Sequence, residues 1–267
     1  MTRKEILLAL AIVVLAALGG GLYYWLQSRS AREAPALAPE AGGHVTAPAP
    51  APEVQERIQN PIPAPPGVVA NAPTLESSDA PVLSGLRQIF GAPAVAQYVI
   101  PQSLIRHIVA TVDNLPRKKA PVQTWPVKPM GGKPLTSGSE DALILSAESY
   151  QRYEPLVHAL QNADMKQLAA LYTSLYPLFQ QAYEDLGYPG KYFNDRLVAV
   201  IDDLLATPET SAPISLQQPN VLYQYKDPAL EDLSAGQKTL LRMGPSNERS
   251  IKQKLRELRA AVATGSR

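Results

Sequence analysis

Three clusters of aromatic and charged residues are the places where this chain has the means to do chemistry. The first runs Gly187-Tyr-Pro-Gly-Lys-Tyr-Phe-Asn-Asp-Arg196 and sets tyrosines, an aspartate and Arg196 around a helix-to-helix turn. Together with Tyr150, Tyr153, Tyr172, Tyr176 and Tyr183 it offers the flat faces and hydroxyls that can line a groove for sugar or peptide. The competing reading is a core that uses tyrosine with its hydroxyl outward. The second cluster, Lys238-Thr-Leu-Leu-Arg-Met-Gly-Pro-Ser-Asn-Glu-Arg249, places Arg242, Asn247 and Arg249 beside a Gly244-Pro245-Ser246 corner. Free amides and a positive helix dipole there suit an anion; a tight corner stapled by arginine–carboxylate bonds would use the same residues structurally. The third is the last helix, where Arg249, Lys252, Arg256 and Arg259 share one face. Such a stripe serves an anionic surface or simply faces solvent. The candidate binding surface drawn from these clusters is Tyr150, Arg152, Tyr153, Tyr176, Tyr188, Arg196, Arg242, Asn247 and Arg249.

Catalytic and metal chemistry find less footing. The chain has no cysteine, so neither a disulfide nor a thiolate site can form. His44 lies in a proline-rich stretch. His107 and His158 fall in the folded part without an HxxxH or HxxE pattern, and His107 reads as a partly buried core histidine. There is no GxSxG elbow and no glycine-rich phosphate loop. Asp202 with Asp203, and Glu184 with Asp185, are sequence neighbours and so point about 100° apart on a helix, not toward a shared proton. No catalytic, cofactor-binding or metal-binding residue is therefore expected. A hydrolase whose two carboxylates are brought together by the fold stays open as the alternative. With 25 Lys and Arg against 24 Asp and Glu, the chain has the bulk charge of neither a nucleic-acid binder nor an acidic-ligand trap.

The elements that must carry these residues begin with an anchor. Ile6 to Leu26 is uncharged and free of proline, and as a helix it would span about 30 Å, the thickness of a bilayer's hydrocarbon core. Arg3 and Lys4 precede it, and Tyr23, Tyr24 and Trp25 close it as an interfacial belt. Bulky residues stand where a signal-peptide cleavage site would need small ones. The expectation is an uncleaved single-pass anchor with its short tail in the cytoplasm. From Ala34 to about Pro73 recurrent proline among Ala, Glu and Gly predicts a semi-rigid spacer with no core of its own. The organisation expected is a tail at 1–5, a transmembrane helix at 6–26, a disordered Pro/Ala-rich linker at 27–74 and a helical domain at 75–263.

Within that domain the apolar spacing is helical almost throughout. Ser78 or Asp79 caps a first helix ending at Phe90, Pro101 starts a second, and Ser146 opens a third. Pro116 to Ser139 reads as a long loop anchored by Trp125. Asp164, with Gln167 as capping partner, starts a long helix that Pro177 kinks and Gly187 stops. Asn194 caps the next, Ser234 with Gln237 forms a second capping box, and Ser246 caps the last. Val221, Tyr223 and Tyr225 alternate as a short extended piece. The fold class expected is all-α, six to eight helices in one compact domain with at most a short strand pair.

Several of these segments together match a known pattern. Leu75-Glu-Ser-Ser-Asp79, Ile108-Val-Ala-Thr-Val-Asp-Asn-Leu-Pro-Arg117, Tyr150-Gln-Arg-Tyr153, Leu171-Tyr172 with Leu175-Tyr-Pro177, Ala182-Tyr-Glu-Asp-Leu-Gly-Tyr188 and Leu240-Leu-Arg-Met-Gly-Pro245 with Asn247 resemble the bacterial family catalogued as domain-of-unknown-function 3014. The resemblance implies a single-pass envelope protein of Gram-negative bacteria, and the orientation expected of the anchor then sets it in the inner membrane with its bulk in the periplasm. It carries over no catalytic residue, since the family has no assigned activity. The expected partners are the membrane and another envelope protein or a glycan, with no nucleic acid; the oligomeric state stays open.

Overall fold

The computed structural model describes residues 57–63, 73–130, 134–139, 142–210, 213–219 and 222–263. The expected tail and transmembrane span, and most of the expected linker, lie outside the described residues. Among the described residues, no helix is long and apolar enough to cross a membrane.

Among the described residues eleven α-helices follow one another from Asp79: α1 (Asp79–Phe90), α2 (Ala92–Tyr98), α3 (Leu104–Asn114), α4 (Glu148–Gln151), α5 (Glu154–Gln161), α6 (Met165–Ser174), α7 (Tyr176–Asp185), α8 (Phe193–Leu205), α9 (Pro228–Glu231), α10 (Ala235–Met243) and α11 (Pro245–Val262). Two of them organise the rest. Helix α3 is buried on nearly every side, Ala110, Thr111 and Asp113 included, because α1, α7 and α8 all pack against it. Helix α11 lays Ile251, Leu255, Leu258 and Val262 along one seam, at the spacing that keeps a helical stripe facing inward. That seam meets α5, α6, α8 and α10.

The helices are more numerous and shorter than the apolar spacing suggested, and proline is the reason. Pro93, Pro155, Pro177, Pro228 and Pro245 each stand in the first turn of a new helix, where a missing amide hydrogen costs nothing. The single kinked helix expected over 164–186 is two, separated at Leu175, and the stretch opened by Ser146 splits into α4 and α5. Gly187, at φ +108°, terminates α7 as expected.

Of the expected caps, Asp164 accepts from the Lys166 and Gln167 amides, and Ser234 with Gln237 makes both bonds of the reciprocal box. Asp79 caps a different helix: its carboxylate accepts the Ser103 and Leu104 amides, each at 2.8 Å, and so closes the start of α3. The N-cap of α11 is Gly244 in place of Ser246, and that of α8 is Tyr192, with Asn194 already inside the helix.

The structure also departs from a purely α architecture, which makes the domain mostly helical. Two short antiparallel pairs occur, β1 (Thr136–Ser137) with β2 (Ile144–Leu145) and β3 (Leu216–Gln217) with β4 (Gln224–Tyr225). An Ile144–Ser215 bridge joins them edge to edge. Their inward residues Leu145, Leu216 and Tyr225, with Ile214 and Leu241, form a small second core. Trp125 is buried as expected, while Val127 bridges to Val99, so the long loop is pinned to the main core at two adjacent points.

Candidate functional site

The candidate residues divide among separate places. Tyr150, Arg152, Tyr153, Arg242 and Asn247 belong to the junction of α4 with α10 and the Gly244 corner. Gly244 has φ +84°, and a Cβ built on it would lie 2.5 Å from the Tyr150 ring. The Asn247 amide donates to the Met243 carbonyl at 2.9 Å and to the Tyr150 carbonyl at 3.2 Å, tying α4 to the start of α11. Arg242 stands 6.0 Å from the centre of the Tyr225 ring and Arg152 5.6 Å from that of Tyr153. Tyr225 donates to the Lys238 carbonyl at 3.0 Å; burial pushes its phenol up to about 12, against the opposing pull of the nearby Arg242 charge. Burial likewise raises the Tyr153 phenol. These contacts make a staple between secondary elements.

The basic stripe of the last helix is solvated at Arg249 and Arg256, which are exposed, but not at Lys252. Lys252 is only 3% exposed and meets the equally buried Glu248 carboxylate at 2.8 Å, while its ammonium also donates to the Thr207 carbonyl. Burial raises the Glu248 carboxyl above its usual range, with Lys252 opposing. Arg259 pairs with Asp202. Arg249 is exposed and stands near enough to Glu248 for its charge to favour the ionised carboxyl.

The adjacent acidic pairs are also in structural use. Asp203 accepts the Ser234 hydroxyl at 2.8 Å, Glu184 accepts the Gln180 amide at 2.8 Å, and Asp185 lies 3.7 Å from Arg106. Among the described residues, no group of three or more His, Asp or Glu is placed to hold a metal ion. His107 is half-buried with its Nδ1 lacking a hydrogen bond, and burial lowers its pKa.

Tyr188 and Arg196 converge on Asp113, a residue that residue type and spacing did not single out. The Asp113 side chain is 4% exposed; Arg117 and Arg196 both pair with it, Arg196 at 3.1 Å, and the Tyr188 hydroxyl donates to it at 3.1 Å. Arg196 adds a bond to the Asp113 carbonyl at 2.7 Å. An aspartate beside the largely apolar run Ile108–Val112, four residues before an arginine, is the available signal.

Tyr176 belongs to a third place, the start of α8. Its hydroxyl donates to the Gln180 side chain at 3.1 Å and accepts the Asn194 amide at 3.3 Å. The Asn194 side chain is fully buried: its carbonyl accepts from the Tyr172 hydroxyl at 3.1 Å, and its amide donates to the Val262 carbonyl at 2.9 Å and the Asn60 carbonyl at 2.8 Å. Burial raises the phenols of Tyr172 and Tyr176 strongly. Tyr172, Phe179, Tyr183 and Phe193 pack ring against ring here, so most of these tyrosines serve the core.

Residues 57–63, inside the stretch read as linker, sit on this same spot. The amides of Gln59 and Asn60 donate to Asp195 at 3.0 and 2.7 Å, and the Asn60 side-chain amide adds a bond at 3.0 Å. The Ile62 amide donates to the Tyr192 hydroxyl at 2.8 Å. Tyr192, Asn194 and Asp195 thus form a polar cradle around a short peptide. All three lie in the first cluster, Gly187 to Arg196, whose residue types alone do not show what they hold.

Comparison with curated proteins and with solved structures found no match. Residues 104–259, which run from the start of α3 nearly to the end of α11, match the model of the family described as "Protein of unknown function (DUF3014)". The chain belongs to the DUF3014 family.

Proposed function

We propose that this chain is a single-pass protein of the bacterial cell envelope whose helical domain, held in the periplasm on a proline-rich spacer, works as a binding or scaffolding module. The observation that carries the binding reading is the cradle. The domain uses three side chains to hold a length of polypeptide by its backbone, Asp195 and Tyr192 accepting amides and Asn194 donating to a carbonyl, which is what a peptide-binding module does. Support for the anchor is the uncharged run from Ile6 to Leu26 with its flanking basic and aromatic residues. A hydrolase finds less support, because the adjacent carboxylates that could have served it each hold a structural partner.

The test is crosslinking of the tagged chain in cells, followed by mass spectrometry of what it captures. A control carrying only residues 1–74 corrects for anchor and spacer. Enrichment of a defined envelope component by the full chain supports the reading. Equal capture by both proteins sinks it.

A further inference from the structure

The cradle reads its occupant in register. The amides of residues 59, 60 and 62 are each taken by a cradle oxygen, and position 61 between them is proline, which has no amide hydrogen to satisfy. Asn60 and Ile62 are the half-buried residues of the segment, while Ile58, Gln59, Pro61 and Pro63 are exposed. Asn60 contributes its side-chain amide to Asp195 and its carbonyl to Asn194; Ile62 packs on the main core. The recognised pattern is therefore asparagine, proline, then an aliphatic residue.

Two of the three cradle residues are also held by the domain itself. Asn194 is fixed from behind by Tyr172 and Val262, and Tyr176 holds the Asn194 amide while its ring lies 5.3 Å from that of Tyr192. Such support keeps binding groups in place before the ligand arrives.

We infer that Tyr192, Asn194 and Asp195 form a recognition site for an Asn-Pro-aliphatic peptide, that the chain's own Gln59–Ile62 fills it as a latch, and that an external peptide of the same pattern competes for it. This rests on the reading of the domain as a binding module and names the ligand class. An intramolecular occupant acts at an effective concentration in the millimolar range, so the intact latch shields the site from a dilute competitor.

The test uses the purified full chain and a fluorescent peptide copying residues 55–66. Fluorescence anisotropy measures peptide binding, and hydrogen exchange at residues 57–63 reports whether the latch is closed. In the wild type the Gln59, Asn60 and Ile62 amides exchange slowly and the peptide binds weakly. Asn60→Ala opens the latch, speeds exchange there and tightens peptide binding by about tenfold or more. Adding Asp195→Ala abolishes the gain, and a peptide with alanine for asparagine binds neither protein. That last control needs no further variant to fold. Fast exchange in the wild type would overturn the proposal, as would failure of the peptide to bind the Asn60→Ala chain once its latch is open. Neither result depends on capture in cells, so failure of the latch is distinguishable from failure of the binding-module reading.

Discussion

Gly244 and the Tyr150 ring occupy adjoining space, and the backbone there has a φ that side chains other than glycine resist. Gly244→Ala should lower stability by about 2 kcal/mol or more, read as a fall in the urea midpoint. The buried Glu248–Lys252 pair makes a different prediction. Lys252→Met strands a buried carboxylate and should cost about 3–5 kcal/mol, whereas Glu248→Gln with Lys252→Met should recover most of that loss. Equal losses in the single and double variants would mean that the pair's charge does not matter. Tyr225 sets a pH dependence. Its folded pKa, raised to about 12, lies above the ordinary tyrosine value near 10. The folded chain therefore holds that proton more tightly than the unfolded one. The resulting stability is present below pH 10 and lost between about pH 10 and 12. Denaturation midpoints measured across that window should fall for the wild type and fall less steeply for Tyr225→Phe.

Helix ends show how far a sequence can be read and where it stops. Apolar spacing located the buried faces of α3 and α11 because burial on a helix recurs every three to four residues. It overruns the breaks because the same stripe continues through Leu175, and only the non-helical backbone there, φ −105° and ψ 6°, shows that a new helix begins beside Pro177. Local caps such as Asp164 and Ser234 were readable, since donor and acceptor lie within three residues. The Asp79 cap joins positions about 25 residues apart, and nothing in the local sequence announces it. Asp113 was hidden for the same reason, as Tyr188 and Arg196 reach it only through the packing of α7 and α8 on α3. Asp79→Ala should destabilise the chain by about 1–2 kcal/mol through the start of α3, with amide exchange at Ser103 and Leu104 rising above that of the rest of the helix.

Helix α11 closes the domain by packing against four helices that precede it. Its four inward residues each contribute a large buried side chain, and losing one such group typically costs about 2–5 kcal/mol. Their sum matches the whole stability of an ordinary domain. A chain stopped after Gly244 should therefore show no cooperative thermal transition by circular dichroism. The side-chain amide of Asn194 extends the same dependence to the other end of the domain, because it binds both Asn60 and Val262. These two residues leave the ribosome at very different times. At about 5–20 residues per second, roughly 200 residues of synthesis separate them, on the order of 10 to 40 seconds. The Gln59–Ile62 segment is made early, yet one hydrogen of the amide that receives it has no partner until Val262 arrives. During biosynthesis the latch is consequently a late event. Between the synthesis of Asp195 and that of Val262 the segment and its cradle are both available to other molecules, a window that a mature protein with a closed latch no longer offers.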